Sequence, residues 1–466
     1  MKKTVGIIFI AILSLPVFCQ NITGEWNGVL KVPGQSLRLV FHIQKTDSGY
    51  TATMDSPDQS VYGIPVTETS FEENNFTINI KNAIQYMGTF HNDTISGLFK
   101  QNGAVIPLKL YRGEVSIAKP KRPQEPKKPY PYDEEEVKFD NPSASGVTLA
   151  GTLTIPSGEG KFSAVILVSG SGAQNRDEEI FGHKPFLVIS DYLTRHGFAV
   201  LRYDDRGTAG STGVYDTCST YDFSTDAEAA FKYLQGRKEI NPKQIGFIGH
   251  SEGGIIAPLV AAHNKNVAFL ILLAAPGIRG DSLLLVQTKL FLKTKNGITD
   301  QEIGEALRIK KSQDSIIYHT EDTQEMKDAL TAFFKEVINK QASLSTTQKE
   351  KDDLVQQTVE TLTGKYIRYL VKYNPAPILA QVQCPVLALN GENDIQVSAD
   401  ENLNMIQHTL LNAGNQNVTI KKLPGLNHLF QTSQTGSIKE YGEIEETFSQ
   451  ETLEIMLNWL KEQVRK

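Results

Sequence analysis

The sequence is poor in cysteine. It has three cysteines in 466 residues, and the first, Cys19, lies in a segment that we expect to be removed. The other two, Cys218 and Cys384, are too far apart in the sequence to form the closely spaced disulfide framework of a small secreted domain. A disulfide-stapled fold is therefore excluded. The spacing leaves open whether Cys218 and Cys384 pair, and we expect both to be structural.

The sequence also lacks apolar runs long enough to cross a membrane comfortably. An apolar run near the start, Val5 to Leu15, follows two lysines and precedes the stretch Pro16 to Cys19. This arrangement is typical of a secretory signal peptide, here residues 1–19. Acylation of Cys19 is the alternative, and the bulky Phe18 before it disfavours it. No later run reaches about 18 apolar residues. We therefore expect an exported protein, periplasmic or extracellular, without a transmembrane segment after cleavage.

Basic residues are not in excess. The formal net charge is −6, so the chain lacks the basic surface that a nucleic-acid partner requires. Hydrophobic residues make up 40% of the chain, which supplies ample core material. A chain of 466 residues predicts two or three compact units.

Residues 20–114 show the alternation of a β-rich domain. Apolar and polar residues alternate in Ser36–Gln44, Tyr50–Ser56, Asn75–Lys81 and Ala104–Arg112, with Gly, Asn, Asp and Ser between these segments. Short strands at this rhythm predict an antiparallel sandwich or a barrel-like domain. Its aromatic residues are expected in the core. Residues 115–135 are rich in proline and lysine and predict a solvated linker.

Residues 136–466 show a different pattern. Continuous apolar segments alternate with amphipathic ones, which predicts a parallel sheet covered by helices on both faces. The charged stretch at about 278–380 interrupts this rhythm without an obvious buried strand. We expect it to form a helical cap inserted into the α/β domain.

The strongest motif is Gly-His-Ser-Glu-Gly-Gly, residues 249–254. An apolar strand pattern precedes it and a helix of small residues follows it. This context predicts a nucleophile elbow, a tight strand–turn–helix corner that presents Ser251. Glycines are needed where strand and helix approach each other closely. The alternative is a glycine-rich turn in which the serine caps a helix.

A serine nucleophile needs a base and an acid, and chain order selects them. In the order serine, acid, histidine, His428 follows the last predicted strand and Asp394 lies in the loop after the strand before it. Among the other histidines, His183 is also on a predicted loop, but it precedes Ser251. Glu392 and Asp400 compete with Asp394 for the role of the acid.

An oxyanion hole requires two backbone N–H groups. We expect one from Glu252, directly after the nucleophile, and one from Ser171 in the loop Ser-Gly-Ser-Gly, with Gly172 as the alternative. The Glu252 carboxylate has two interpretations. It either anchors the free amine of a peptide substrate, together with cap residues such as Glu302 and Glu305, or it braces a loop.

These motifs resemble the α/β-hydrolase superfamily over residues 137–466. The segments GHSEGG, YDDRG, NGENDIQV and GLNH are similar to bacterial esterases that adjoin the serine aminopeptidase (S33) and prolyl oligopeptidase (S9) families. The resemblance implies an eight-stranded, mostly parallel sheet, a helical cap, a Ser-His-Asp triad and no cofactor or metal. It also implies that Asp205 and Arg206 brace loops near the site. Two departures are the loop Ser169-Gly170-Ser171, where many members have His-Gly, and the acidic Glu252.

The function that follows is a serine hydrolase of the carboxylesterase type. It would cleave small or medium acyl esters through an acyl-enzyme intermediate, with Ser251, His428 and Asp394 as the triad. A serine peptidase using the same triad is the first alternative, and a non-catalytic secreted binding protein is the second. The expected partner is a small-molecule ester or, in the first alternative, a short peptide. The sequence leaves the oligomeric state open.

Overall fold

The structure is a computed structural model that describes residues 21–32, 35–57, 61–80, 84–101, 104–113, 121–295, 297–341 and 347–464. The predicted signal peptide, residues 1–19, lies outside the described residues. The chain divides into two compact units, Met1–Lys119 and Pro120–Lys466.

The first unit is one antiparallel sheet of nine strands. The strands are β1 (Gly24–Val32), β2 (Gln35–Thr46), β3 (Gly49–Ser56), β4 (Val61–Pro65), β5 (Glu68–Glu72), β6 (Asn75–Ile80), β7 (Ile84–His91), β8 (Thr94–Gln101) and β9 (Ala104–Arg112). Their order across the sheet is β4-β3-β2-β1-β9-β8-β7-β6-β5. Inward-facing residues such as Trp26, Phe41 and Tyr86 are fully buried, as the alternation predicts.

This sheet curves like a half-barrel. Its two edge strands, β4 and β5, follow each other in the chain and are separated only by Val66 and Thr67. The two ends of the sheet must therefore come close together. The sandwich prediction is wrong, because there is one sheet and not two stacked ones, and the barrel-like alternative describes the unit better. Periodicity identifies strands, but it does not say which strands become neighbours.

The second unit is an α/β unit with a mixed sheet of eight strands. The strands are β10 (Tyr132–Asp140), β11 (Thr148–Pro156), β12 (Phe162–Val168), β13 (Ala199–Tyr203), β14 (Ile240–His250), β15 (Leu270–Leu273), β16 (Val386–Gly391) and β17 (Val418–Leu423). Their order is β10-β11-β13-β12-β14-β15-β16-β17. The β10–β11 and β11–β13 pairs are antiparallel, and the remaining neighbours are parallel.

Helices cover both faces of this sheet. They are α1 (Pro185–Arg195), α2 (Thr220–Gln235), α3 (Gly253–His263), α10 (Ala399–Asn412), α11 (Ile438–Tyr441) and α12 (Gln450–Val464). Alternate residues of β12 enter different cores. Ile166 packs with residues of α2, α3 and α10, whereas Val165 packs with residues of α1 and α12. Both faces are buried, which is why this strand reads as a continuous apolar run.

A segment of six helices lies in the chain between β15 and β16. It consists of α4 (Gly280–Lys293), α5 (Asp300–His319), α6 (Thr323–Gln341), α7 (Gln348–Leu362), α8 (Lys365–Lys372) and α9 (Ala376–Leu379). Its bounds agree with the insertion expected at about 278–380. Capping boxes start α5, at Thr299 with Glu302, and α7, at Thr347 with Glu350. The helices share a small core that includes Ile317, Met326, Leu330, Phe334 and Val359.

The predicted linker is partly wrong. Strand β10 begins at Tyr132, inside the segment 115–135. Just before it, the Arg122 guanidinium donates hydrogen bonds to the backbone carbonyls of Phe181, Gly182, Gly442 and Ile444. The described part of this segment therefore packs on the α/β unit and is not a solvated hinge. A composition rich in proline and lysine does not reveal one arginine that binds four carbonyls.

Two further expectations concern cysteines and membranes. Cys218 and Cys384 are both free thiols, so they do not pair in this structure. In the part of the chain that the structure describes, none of the helices is long and apolar enough to cross a membrane.

Candidate active site

Ser251 lies at a sharp corner between β14 and α3. Its backbone φ is 51°, in the left-handed region that L-residues other than glycine seldom adopt. The Ser251 N–H donates to the Leu273 carbonyl at 2.8 Å, which ties the corner to β15. A strained serine between a strand and a helix is the geometry of a nucleophile elbow. The structure does not favour the alternative of a helix-capping serine, since the residue at the N-cap of α3 is Glu252.

The motif needs its glycines because the backbone packs too closely around the elbow to leave room for a Cβ atom. A Cβ on Gly249 would lie 2.1 Å from the Gly253 carbonyl oxygen, and one on Gly253 would lie 2.1 Å from the Val168 carbonyl oxygen. A Cβ on Gly254 would lie 2.3 Å from the Cβ of Ala275. Any side chain at these positions would push strand and helix apart. The sequence argument from close approach is confirmed.

Asp394 and His428 meet as the chain order predicts. The His428 Nδ1 lies 2.8 Å from the Asp394 Oδ2, and both residues are buried. The other carboxylate oxygen, Oδ1, accepts backbone N–H groups of Gln396 at 2.8 Å and Val397 at 2.9 Å. Both oxygens are thus held in place. An ionised Asp394 keeps the proton of His428 on Nδ1, which leaves Nε2 free to act as a base.

The competing residues are engaged elsewhere. Asp400 pairs with Lys422 on the surface, and the Glu392 carboxylate accepts the Gly425 N–H at 3.4 Å. His183 is buried, with Nδ1 2.9 Å from the Thr447 hydroxyl and Nε2 2.8 Å from the Tyr441 carbonyl. Burial lowers the pKa of His183 to about 4. None of these contacts involves the His428 ring.

His250, the residue directly before Ser251, contacts His428. The Nε2 of His250 lies 3.0 Å from the His428 carbonyl oxygen, and the two rings have centroids 4.9 Å apart. Within the described residues, the Ser251 hydroxyl makes no hydrogen bond to the His428 ring. Such catalytic hydrogen bonds are often longer before substrate binds.

Of the expected oxyanion donors, two backbone N–H groups are available. The Gly170 N–H donates to the Glu178 Oε1 at 2.6 Å, and the Gly172 N–H donates to the Tyr215 hydroxyl at 3.0 Å. The Gly172 alternative is therefore occupied. For the N–H groups of Ser171 and Glu252, no acceptor is found among the described residues. These are the two groups that the sequence predicts for the oxyanion hole.

The Glu252 carboxylate is a brace. Its Oε1 accepts the Thr220 hydroxyl of α2 at 2.6 Å, and its Oε2 accepts the Tyr366 hydroxyl of α8 at 2.9 Å. Glu252 is 5% exposed, and this burial raises the pKa of its carboxyl group. The side chain thus ties the elbow to α2 and α8. Glu302 and Glu305 are also engaged, one in the capping box of α5 and the other with Arg308.

The motif Asp204-Asp205-Arg206 also braces the site. The Asp205 Oδ1 accepts the Ser169 hydroxyl at 2.9 Å, and its Oδ2 accepts the Gln174 N–H at 2.9 Å, at either end of the loop that holds Ser171. Burial, together with the nearby carboxylates of Glu252 and Asp226, raises the pKa of Asp205 to about 8. The Arg206 guanidinium pairs with Asp226 at 2.7 Å. The structural role that the resemblance implies for Asp205 and Arg206 agrees with these contacts.

Sequence reasoning missed Glu178 and underrated His250. Glu178 has no motif around it, and its backbone φ of 51° has no signal in the residue type. His250 lies directly before Ser251 in the motif, but it cannot act as the base, because its two ring nitrogens face Glu178 and the His428 carbonyl. Its contact with Glu178 joins residues that are far apart in the sequence, so no local pattern could predict it.

Comparison with known proteins identifies the family. The family described as X-Pro dipeptidyl-peptidase (S15 family) matches residues 125–416, which is more than half of the chain. The chain belongs to this family. The resemblance to the α/β-hydrolase superfamily is thus confirmed, while the family itself is S15, and the motifs alone pointed to a branch adjoining S33 and S9.

One curated relative of this S15 member is the esterase EstD of Thermotoga maritima. It is 27% identical over 281 residues, which make up 60% of this chain and 58% of EstD. The match therefore spans less than two thirds of that protein.

Two solved structures are similar at low scores. The esterase Pf2001 of Pyrococcus furiosus has a TM-score of 0.42 at 15% identity, with 75% of this chain and 99% of that chain covered. The α/β hydrolase GrgF of Penicillium sp. sh18 has a TM-score of 0.42 at 18% identity, with 72% and 100% covered. Both TM-scores are below 0.5.

Proposed function

We propose that the chain is a serine hydrolase of the carboxylesterase type. The observation that carries this proposal is the site itself, in which a strained serine at an elbow follows His250, whose ring contacts the histidine of a buried histidine–carboxylate pair. The similarity to EstD over 281 residues supports an ester substrate. We also propose that the mixed sheet corresponds to the eight-stranded, mostly parallel sheet of the α/β-hydrolase fold, with the helical segment 280–379 as its cap.

In the proposed mechanism, Ser251 attacks the ester carbonyl and His428 takes its proton at Nε2. Asp394 holds the imidazole in the correct tautomer and stabilises the imidazolium that forms, without accepting the proton itself. His428 then gives the proton to the leaving alcohol. Water, activated by the same histidine, hydrolyses the acyl-enzyme.

The negative oxygen of the tetrahedral intermediate would be bound by the N–H groups of Ser171 and Glu252. The Glu252 N–H lies at the N-terminus of α3, where the helix dipole also favours negative charge. Loss of one oxyanion donor typically costs about 3 kcal/mol of transition-state stabilisation. Because both donors are backbone groups, their placement depends on the loops that hold them.

The Glu252 carboxylate favours esters over peptides with a free N-terminus. An aminopeptidase needs a carboxylate that faces the substrate's amine, but both oxygens of Glu252 already accept hydroxyl groups. A small or medium ester has no such requirement. This is why we place the ester substrate first.

A serine peptidase is the second candidate, and the observation that favours it is the family match, since S15 is described as the X-Pro dipeptidyl-peptidase family. The same triad would serve either reaction. The non-catalytic alternative receives no support from the site, because serine, histidine and carboxylate are all present.

The test is an activity panel on the purified protein. We expect hydrolysis of p-nitrophenyl esters of short and medium acyl chains, with weaker cleavage of aminoacyl or Xaa-Pro anilides. Ser251→Ala should lose roughly 10⁴-fold or more of the ester activity, by comparison with other triads. Full activity of that variant would refute the assignment. Faster cleavage of Xaa-Pro anilides than of esters would favour the peptidase, and failure of a fluorophosphonate to label the protein would revive the binding-protein alternative.

We propose further that the protein is exported, on the pattern of residues 1–19 alone. Expression of the full chain in a bacterium, followed by fractionation and N-terminal sequencing, tests this proposal. A mature N-terminus near residues 20–21 in the periplasmic or extracellular fraction is the expected result. An intact Met1 in the cytoplasm would contradict it.

A further inference from the structure

Two buried side chains outside the proposed triad lie between three segments of the site. The His250 Nδ1 is 2.9 Å from the Glu178 Oε1, and the His250 Nε2 is 3.0 Å from the His428 carbonyl oxygen. The same Oε1 of Glu178 accepts the Gly170 N–H at 2.6 Å. His250 is 6% exposed and Glu178 is 3% exposed. Removing a histidine and a carboxylate from water carries a desolvation penalty, which indicates that the pair has a role in the site.

The contacts favour a doubly protonated His250. Both of its ring nitrogens face acceptors, a carboxylate oxygen and a carbonyl oxygen, and a neutral imidazole has only one N–H to donate. Burial opposes the charge on His250, but the charge and hydrogen bond of Glu178 outweigh it and raise the pKa of the imidazole. Asp394 adds to this effect, and the other groups facing the ring are His428 and Phe430. The geometry and the direction of this shift both favour an imidazolium at His250, paired with Glu178.

This ion pair touches the backbone next to every proposed reacting group. His250 directly precedes Ser251, Gly170 directly precedes Ser171, and the carbonyl that His250 binds belongs to His428 itself. A displacement of about 1 Å in a reacting group can cost 10²-fold in rate. One buried pair therefore links the nucleophile, the oxyanion loop and the base through three short hydrogen bonds.

We propose that Glu178 and His250 form a positioning pair that sets the mutual placement of Ser251, His428 and the Ser171 N–H. The proposal rests on the serine hydrolase function proposed above. Neither residue is a catalytic residue, because neither has a free group directed at substrate. His250 cannot replace His428 as the base, since its Nε2 is already bound to the His428 carbonyl.

Glu178→Gln is the most informative variant. In the parent, one carboxylate oxygen of Glu178 contacts both the His250 ring and the Gly170 N–H, and a glutamine cannot keep both contacts with a negative charge. If the amide oxygen of the new side chain takes that position, it still accepts the Gly170 N–H, but the charge that keeps His250 doubly protonated is gone. If the amide nitrogen takes that position, the Gly170 N–H loses its acceptor. Either way one of the three links is weakened. His250→Gln removes the link to Glu178 while its amide can still donate to a carbonyl.

The experiment measures kcat and KM on a p-nitrophenyl ester for the full chain and its variants, with folding checked by circular dichroism. Each single variant should lower kcat by about 10- to 100-fold, with KM changed by less than about threefold. The double variant should lose no more than the more severe single one, because the two residues act as a unit. His263→Gln, which breaks an exposed contact with Glu228 at the end of α3, is the matched control and should keep the parent kcat.

Two further measurements are needed. NMR distinguishes a positioning pair from residues that only stabilise the fold, and fluorophosphonate labelling tests the serine hydrolase proposal separately. In the parent, two-dimensional NMR of the histidine side chains at a series of pH values should show one ring, absent in His250→Gln, that loses its second proton at a higher pH than an ordinary histidine, and Glu178→Gln should lower that pH. A His250 ring in the parent that loses its second proton at the pH of an ordinary histidine or below it, or single variants with the parent kcat, would overturn the positioning pair. If instead a fluorophosphonate fails to label Ser251 in the parent, the serine hydrolase proposal fails, while the NMR result still decides whether the ion pair exists.

Discussion

Asp205 should make the stability of the α/β unit depend on pH in an unusual direction. Its carboxyl group is buried, and its pKa is raised from the ordinary value of 3.8 to about 8. Between these two values, the folded chain holds a proton that the unfolded chain has already released. Stability falls with rising pH wherever the folded state binds more protons. The contribution of Asp205 is therefore fully present below about pH 4 and is lost progressively as the pH rises to about 8.

The size of the expected effect follows from the slope of the free energy of unfolding against pH. Each pH unit inside the window changes the free energy of unfolding by about 1.4 kcal/mol. From pH 5 to pH 8 the parent should thus lose about 4 kcal/mol relative to a variant with a neutral side chain. Asp205→Asn is that variant. Its amide oxygen can accept the Gln174 N–H, and its amide nitrogen can donate to the Ser169 hydroxyl, so both loop contacts survive.

The assay is urea unfolding monitored by tryptophan fluorescence. The chain has two tryptophans, Trp26 in the first unit and Trp459 in α12, where it is largely buried against Phe269. Trp26→Phe therefore leaves a single reporter in the α/β unit, which avoids mixing the unfolding of two compact units. The free energy of unfolding is measured at pH 5, 6, 7, 8 and 9 for this background with and without Asp205→Asn.

The difference between the two proteins should grow with pH and level off above pH 8. Glu350→Gln is a control of opposite sign, because the backbone hydrogen bond from Thr347 lowers the pKa of Glu350. Its effect should lie below about pH 5, so its difference from the parent should be flat across the measured range. A flat difference for Asp205→Asn as well would refute the reasoning.

Three other substitutions have defined outcomes. Asp394→Asn should lower kcat by about 10⁴-fold on ester substrates while the fold stays intact by circular dichroism, because the histidine takes the wrong tautomer. Gly253→Ala should abolish soluble, folded protein or shift the thermal midpoint strongly downward, since its Cβ would lie 2.1 Å from the Val168 carbonyl oxygen. Glu252→Gln, which can keep both side-chain contacts, should leave the ratio of anilide to ester cleavage unchanged. A selective loss of anilide cleavage would restore the amine-anchor interpretation.

Much of the candidate site could be predicted from the sequence, because it depends on local patterns and on the order of residues along the chain. Gly249 is a glycine for a reason that acts within six residues, because its backbone touches that of Gly253. The elbow is therefore predictable from the local sequence. Asp394 and His428 each follow a strand of a parallel sheet, and the ends of such strands meet at one edge. Their contact at 2.8 Å is a consequence of that topology.

The parts that could not be predicted depend on contacts over long sequence separations. Glu178 approaches His250 only because the loop after β12 folds back over the elbow, and nothing near Glu178 signals this. Tyr366 of α8 contacts Glu252. The sequence of the segment 280–379 predicts helices, but it does not predict which of them packs against the elbow. In the first unit the strands are visible as alternation, but the order that brings β4 and β5 together is set by packing and twist, not by period.

The buried acids around the elbow all bind groups of the protein itself, and this affects the choice between an ester and a peptide substrate. Asp394 supports His428, Glu178 supports His250, Glu252 accepts hydroxyls from α2 and α8, and Asp205 holds the loop of Ser171. Each is directed at the protein's own groups, because a buried carboxylate without donors would be costly. A free amine of a peptide substrate would therefore have to displace one of these contacts or bind to acids farther from Ser251. An ester needs only the oxyanion donors and the base, so the same arrangement serves it without rearrangement.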